Sequence, residues 1–276
     1  MLDNAQVAKT AGSGPFLRFP SRPEGGWWQV PRIRAATIHL GICLAVAIVL
    51  CTVLLFVWYP WPTFQAQGGQ DLLILLFSVD VVIGPMVTLV IFKPGKKGLR
   101  FDLTVIALMQ LSALAYGTHV SFVARPVFIT FHNDRFEIIS AADVDDEQLK
   151  EAKSAEFRSL SIAGPRLAVA EMPADAGERN RIIFSAAFGA DITHFQKYYV
   201  PYDQAKAETL EKAKPIAELR RLNPAEGAKI DHFLASHHRT EETTRFLPVK
   251  ARRASLAAML DASTGDLLGM LTLEPW

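Results

Sequence analysis

The chain reads as an α+β membrane protein: three transmembrane helices followed by a C-terminal α+β extracytoplasmic domain. Three observations predict this. Residues 36–123 are almost continuously apolar, whereas residues 125–276 have the mixed composition of a soluble domain. Three apolar runs each reach the ~20 residues that a spanning helix needs. Basic residues flank these runs at one end only, which fixes a direction.

The elements follow in order. Residues 1–35 hold Gly, Pro, Ser and scattered charge and read as a disordered cytoplasmic tail. The first span is 36–58. It is too long for a signal-peptide core and ends in Trp58-Tyr59-Pro60-Trp61-Pro62, not in small residues. Those aromatics read as an interfacial belt. The second span is 72–92, with Asp80 near its middle and a Gly84-Pro85 pair that predicts a kink. The third span is 103–123. Arg22, Arg32 and Arg34 precede the first span, and Lys93, Lys96, Lys97 and Arg100 fill the loop between the second and third. The loop Tyr59–Asp71 has no Lys or Arg. Basic loops stay in the cytoplasm. Residues 124–276 then form a periplasmic α+β domain if the membrane is a bacterial inner membrane. The basic loop also suits contact with anionic lipid headgroups.

Charge and cysteines exclude several classes. Nine basic and five acidic residues lie up to Val123; twenty basic and twenty-three acidic residues follow. Neither half carries the basic face that nucleic acid requires. The only cysteines, Cys43 and Cys51, sit in the first span and read as small packing residues. The soluble half has no G-x-S-x-G, no H-E-x-x-H and no paired cysteines, so no catalytic, cofactor-binding or metal-binding residues are assigned. His232, His237 and His238 read as solvated helix-end residues.

Asp80 is the costly feature. A carboxylate at mid-membrane costs about 3 kcal/mol on insertion scales, so it faces protein. Matching depths along the spans predicts a hydrogen bond from Tyr116 or Thr52 to a neutral Asp80. An internal bundle bond is the first reading. A contact for a partner's membrane helix is the second, and proton relay is third because no other acid lies at this depth. Asp80, Gly84, Pro85 and Tyr116 are therefore candidate partner contacts. Tyr198, Tyr199 and Tyr202, clustered beside Pro201, join them because Tyr is favoured at interfaces. Packing in the core is their competing reading.

The soluble half predicts a hairpin of Val127–Phe131 and Phe136–Ser140 around His132-Asn133-Asp134-Arg135. A short helix capped by Asp143 or Asp145 runs to about Ser154. Strands are expected at Leu167–Glu171 and Arg181–Phe184. Helices are expected from Asp203, from Pro215 to Leu222, and from an Asn223 cap to Ser236. Val249–Leu260 and Leu267–Leu273 predict a closing hairpin.

Particular residues also resemble a known family. These are Ile38-His39-Leu40, Val57-Trp58-Tyr59-Pro60, Gly68-Gly69, Val79-Asp80 with Gly84-Pro85, and Thr88-Leu89. The similarity is firmest at Phe92-Lys93-Pro94-Gly95-Lys96-Lys97-Gly98-Leu99 and Phe101-Asp102-Leu103. It continues through Gln110, Tyr116-Gly117, Arg125-Pro126-Val127-Phe128 and Asp134-Arg135-Phe136-Glu137. The chain resembles the type IV pilin accessory proteins, small inner-membrane proteins encoded beside pilin genes. The resemblance implies a non-enzymatic role without cofactors. It implies support for the stability or assembly of a cognate type IV major pilin, through that pilin's membrane helix and head. The alternative is a membrane sensor with a periplasmic ligand-binding domain. A short tail and a ten-residue loop leave that reading little room for an output module.

Overall fold

A computed structural model describes residues 30–60 and 62–276. The tail expected over 1–35 therefore lies mostly outside the described residues, as do Arg22 and Trp61. Among the described residues three helices are long and apolar enough to cross a membrane: Pro31–Trp58, Gly69–Ile91 and Leu99–Val123. A sheet-containing domain follows.

The first, α1 (Pro31–Val53), begins five residues before the expected Ala36. Pro31 sits in its first turn, where a missing N–H costs nothing. It passes into a π turn, Leu54–Trp58. A one-turn helix, α2 (Thr63–Ala66), lies in the loop beyond. The second rod is α3 (Gly69–Phe77), a π turn (Ser78–Ile83) and α4 (Gly84–Ile91). The expected irregularity at Gly84-Pro85 takes the form of that π turn. Pro85 cannot donate to the carbonyl four residues back and its ring crowds it, and the wider turn ahead of it accommodates both. Gly95 and Gly98 adopt positive φ (75° and 85°) in the basic loop, and α5 (Leu99–Val123) starts directly after.

Only Ala124 and Arg125 separate α5 from the first strand. The sheet has eight strands: β1 (Pro126–His132), β2 (Arg135–Ser140), β3 (Arg166–Ala170), β4 (Tyr199–Pro201), β5 (Lys214–Pro215), β6 (Thr244–Lys250), β7 (Leu256–Asp261) and β8 (Leu267–Leu271). Their order is β4-β3-β1-β2-β6-β7-β8, with β5 pairing against β6. β1 runs parallel to β3, and β2 parallel to β6; the remaining pairs are antiparallel. The sheet is thus mixed, and the domain is α+β.

Helices α6 (Asp146–Glu151), α7 (Ala176–Ala187), α8 (Lys206–Lys212), α9 (Ile216–Leu222) and α10 (Gly227–Ser236) complete the domain. Strand alternation builds three packed clusters. Ile129, Phe131, Phe136, Leu247, Val249 and Ala258 form one, with Ala66 from the membrane-side loop inserted among them. Phe128, Ala168 and Ala170 pack with Leu149 of α6 and Ile182 of α7. Phe246, Ala257 and Met259 pack with Ile216 and Leu219 of α9 and Ile230 and Phe233 of α10.

Three expectations need correction. Arg181–Phe184 is not a strand but lies inside α7, which Asp175 caps by accepting from the Glu178 N–H at 2.8 Å. Val249–Leu260 is two strands, β6 and β7, separated by a turn carrying Arg252 and Arg253. Asn223 makes no side-chain cap for the helix after it. Its amide donates to the Leu219 and Glu274 carbonyls (2.9 and 2.7 Å) and accepts from the Glu274 N–H (2.9 Å), so it fastens the C-terminus.

Candidate functional site: the polar seam in the membrane bundle

The middle rod is the spine of the bundle. α1 packs along α4 and the π turn, and α5 packs along α3, the π turn and α4. Between α1 and α5 a furrow remains open.

Polar side chains converge at mid-depth in this furrow. Asp80 is only 9% exposed, and among the described residues its Oδ1 has no hydrogen-bond partner. Gln110 of α5 donates from Nε2 to the Asp80 backbone carbonyl at 3.2 Å and lies 4.0 Å from the Cys43 sulfur. His39 Nδ1 and Thr88 Oγ1 are 2.7 Å apart and tie α1 to α4. Gly84 is the residue that makes room. A Cβ placed there would stand 1.9 Å from Gln110 Nε2. Gly117 does the same for Leu76, whose Cδ1 would be 2.1 Å away.

The predicted partners of Asp80 are not the observed ones. Tyr116 is 72% exposed on the outside of α5. The Thr52 hydroxyl donates to the Ile48 carbonyl of its own helix at 2.8 Å. Depth counting failed because the second rod begins at Gly69 and then inserts a π turn. The residue of α5 that meets Asp80 is Gln110, six positions from Tyr116 and about 240° around the helix. Gln110, a polar residue suited to close helix contact, is not matched to Asp80 by the sequence reading, and His39 is the missed member. Their signal was available: each is a polar side chain within an apolar span.

The tyrosine cluster is also relocated. Tyr199 and Tyr202 are core residues, 1% and 5% exposed. The Tyr202 hydroxyl donates to the Gly265 carbonyl at 2.6 Å, and burial pushes its pKa up to about 12. Tyr199 donates to the Thr193 carbonyl and meets Phe128 and Phe157 edge to face. Neither presents a surface to a partner. Tyr198 is half-buried beside Lys197. Lys93, Lys96, Lys97 and Arg100 are exposed at the loop between α4 and α5, with Lys96 paired to Asp102 at 2.6 Å.

At the sheet end of the bundle Arg125 forms the joint to the domain. It is 4% exposed. Its Nε donates to the Ser161 carbonyl at 3.1 Å and its Nη1 to the Phe122 carbonyl at 2.6 Å, while the guanidinium lies 3.7 Å over the Phe122 ring. The loop Tyr59–Asp71 closes the same joint. The Arg253 N–H donates to the Ala66 carbonyl at 2.8 Å.

The geometry defines a class: a membrane protein with a polar seam inside its bundle and a sheet domain joined to one end of that bundle. Among the described residues no cluster of His, Cys, Asp or Glu is placed to hold a metal ion. Comparison with known proteins gives the particular family. The fimbrial assembly protein FimB family matches residues 28–68, which cover α1 and most of the loop after it. The fimbrial assembly protein of serogroup I from Dichelobacter nodosus is 32% identical over 220 residues, 79% of this chain and 85% of that protein. The serogroup E1 protein of the same organism is 30% identical over 220 residues, again 79% and 85%. The serogroup C1 and C2 protein is 36% identical over 117 residues, 42% of this chain and 89% of the relative. The chain belongs to this family of fimbrial assembly proteins. No solved structure matches it.

Proposed function

We propose that this protein is an inner-membrane accessory factor that stabilises a cognate type IV major pilin before the pilin enters the fibre. The N-terminus and the basic loop lie in the cytoplasm, and the sheet domain lies in the periplasm. The bundle receives the membrane helix of the pilin, and the domain meets its head.

One observation carries this reading: the bundle keeps an open furrow with a buried, incompletely paired carboxylate at mid-depth. A bundle that served only as an anchor would gain by closing it. Membership of the fimbrial assembly family supports the pilin as occupant. A role without catalysis agrees with that membership.

The test is a deletion strain. Pilin level and surface pili are expected to fall while the secretion machine stays intact. Unchanged pili with altered transcription would point to the sensor reading instead. Alkaline phosphatase fused after Trp276 is expected to be active; silence there would reverse the topology.

A further inference from the structure

We propose that the furrow between α1 and α5 is the seat of one additional transmembrane helix, and that this helix must present a hydrogen-bond donor at the depth of Asp80. The inference deepens the pilin reading by stating what the partner helix has to carry.

The furrow crosses the whole membrane as three connected hollows. The one at the basic end, between Arg34 and Leu103, holds about 830 Å³. The central one, at Cys43, Asp80 and Gln110, holds about 200 Å³. The outer one, between Trp58 and Thr118, holds about 550 Å³. The first two share His39, Ile42 and Ala107, and the last two share Val46 and Leu114. From Arg34 to Trp58 the α1 wall is roughly 36 Å long at 1.5 Å per residue. That is the length of a membrane span, since the hydrocarbon core is about 30 Å thick.

Two features select a helix over lipid. The walls carry Ala35, Ala47 and Ala107, and small side chains allow the close backbone approach on which helix association in membranes depends. Lipid chains would cover the apolar walls but offer nothing to Asp80 Oδ1, which is buried and unpaired among the described residues. The backbone of an arriving helix is already internally bonded. Only a side chain such as Asn, Ser or Lys can donate to that oxygen.

The test uses the full-length protein in nanodiscs at one copy per disc, labelled for energy transfer. The probes are two synthetic 24-residue poly-leucine peptides, one with a central Asn and one with Leu in its place. The Asn peptide is expected to associate at least tenfold more tightly. Asp80→Leu should abolish that preference, while Asp80→Asn, which keeps an acceptor, should retain it. Ala107→Phe, which fills the furrow, should block association. Met109→Phe, on the exposed face of α5, should not. Equal affinity of the two peptides, or binding that survives Ala107→Phe, overturns the proposal. Transfer between two copies of the chain in larger discs, abolished by Ala107→Phe, assigns the furrow to self-association and also overturns it. If the Asn peptide binds and the pilin membrane helix does not, the seat stands and the pilin reading falls.

Discussion

The Tyr59 hydroxyl donates a 2.8 Å hydrogen bond to the carbonyl of Ser121, tying the C-terminal end of the first span to that of the third. Ser121 lies in the last turn of α5, where carbonyls lack partners within the helix. The neighbouring Phe122 carbonyl is satisfied by Arg125. Two residues from outside α5 therefore close its end. Tyr59 is 2% exposed, and burial, partly offset by Arg125, pushes its pKa up to about 12, so the hydroxyl remains a donor at neutral pH. Tyr59→Phe keeps the ring against Phe64 but leaves the carbonyl unpaired. We expect a loss of about 1–2 kcal/mol. Thermal unfolding of the full-length protein in detergent checks this, and an unchanged midpoint would show that the tie contributes nothing.

Gly84 and Gln110 should be energetically coupled. A methyl group at Gly84 would displace the Gln110 amide from the Asp80 carbonyl. Gly84→Ala is expected to destabilise by about 1–3 kcal/mol, as overpacking does. In a Gln110→Ala background the same change should cost under about 1 kcal/mol, since the obstruction is gone. The four proteins of this double-mutant cycle, unfolded side by side, give the coupling. Strict additivity would mean that the two residues do not meet.

These residues also show how far the sequence could be read. The spans were legible because length and hydropathy suffice to mark them. The β1–β2 hairpin was legible because the β-forming runs Val127–Phe131 and Phe136–Ser140 flank the polar stretch His132-Asn133-Asp134-Arg135, and Asn133 takes positive φ (59°) at the turn. Arg181–Phe184 misled because a run of three apolar residues, Ile182 to Phe184, suits a strand as well as a helix. The better signal was Asp175 with Glu178 three residues on, a cap at the start of a helix. Asp80 and Gly84 stood out as a costly acid and a small residue. Gln110 stood out as a polar residue in an apolar span, but its pairing with Asp80 and Gly84 did not, since azimuth around a helix is set by tertiary packing and a π turn shifts it. The burial of Ala66 had no local sign at all.

The β7–β8 turn should be acid-sensitive. The Asp261 carboxylate accepts from the Ser263 hydroxyl (2.5 Å), the Ser263 N–H (2.7 Å) and the Thr264 N–H (3.1 Å), and it pairs with Arg239 at 2.7 Å. These bonds, Ser263 foremost, hold its pKa below the ordinary carboxylate value. The folded value lies below the unfolded one, so the stabilisation is complete above about pH 4. It fades as pH falls through the lower folded value. Amide exchange at Ser263 and Thr264, after correction for intrinsic rates, is expected to accelerate between pH 4 and 2 while amides of β1 stay protected. Asp261→Asn should remove most of that pH dependence. A turn equally protected at both ends of the range would contradict the assignment.

The loop between the first two spans should behave as part of the domain core. Ala66 is fully buried among residues of β1, β2 and β6, and its carbonyl holds the Arg253 N–H at 2.8 Å. Gly68 turns the chain beside it with φ of 81°, where a Cβ would stand 3.1 Å from the Arg253 side chain. Gly69 leaves space for the Phe64 ring, which a Cβ would approach to 2.3 Å. Each of these positions admits only a small residue, so the loop fits the domain in a single arrangement. Ala66→Leu overfills that site and is expected to cost about 1–3 kcal/mol. The effect should be local before it is global. Exchange at the Arg253 amide should rise well above wild type, while amides of α10, which packs in a cluster without Ala66, keep their protection. Unchanged exchange at Arg253 would mean that the loop merely rests on the domain.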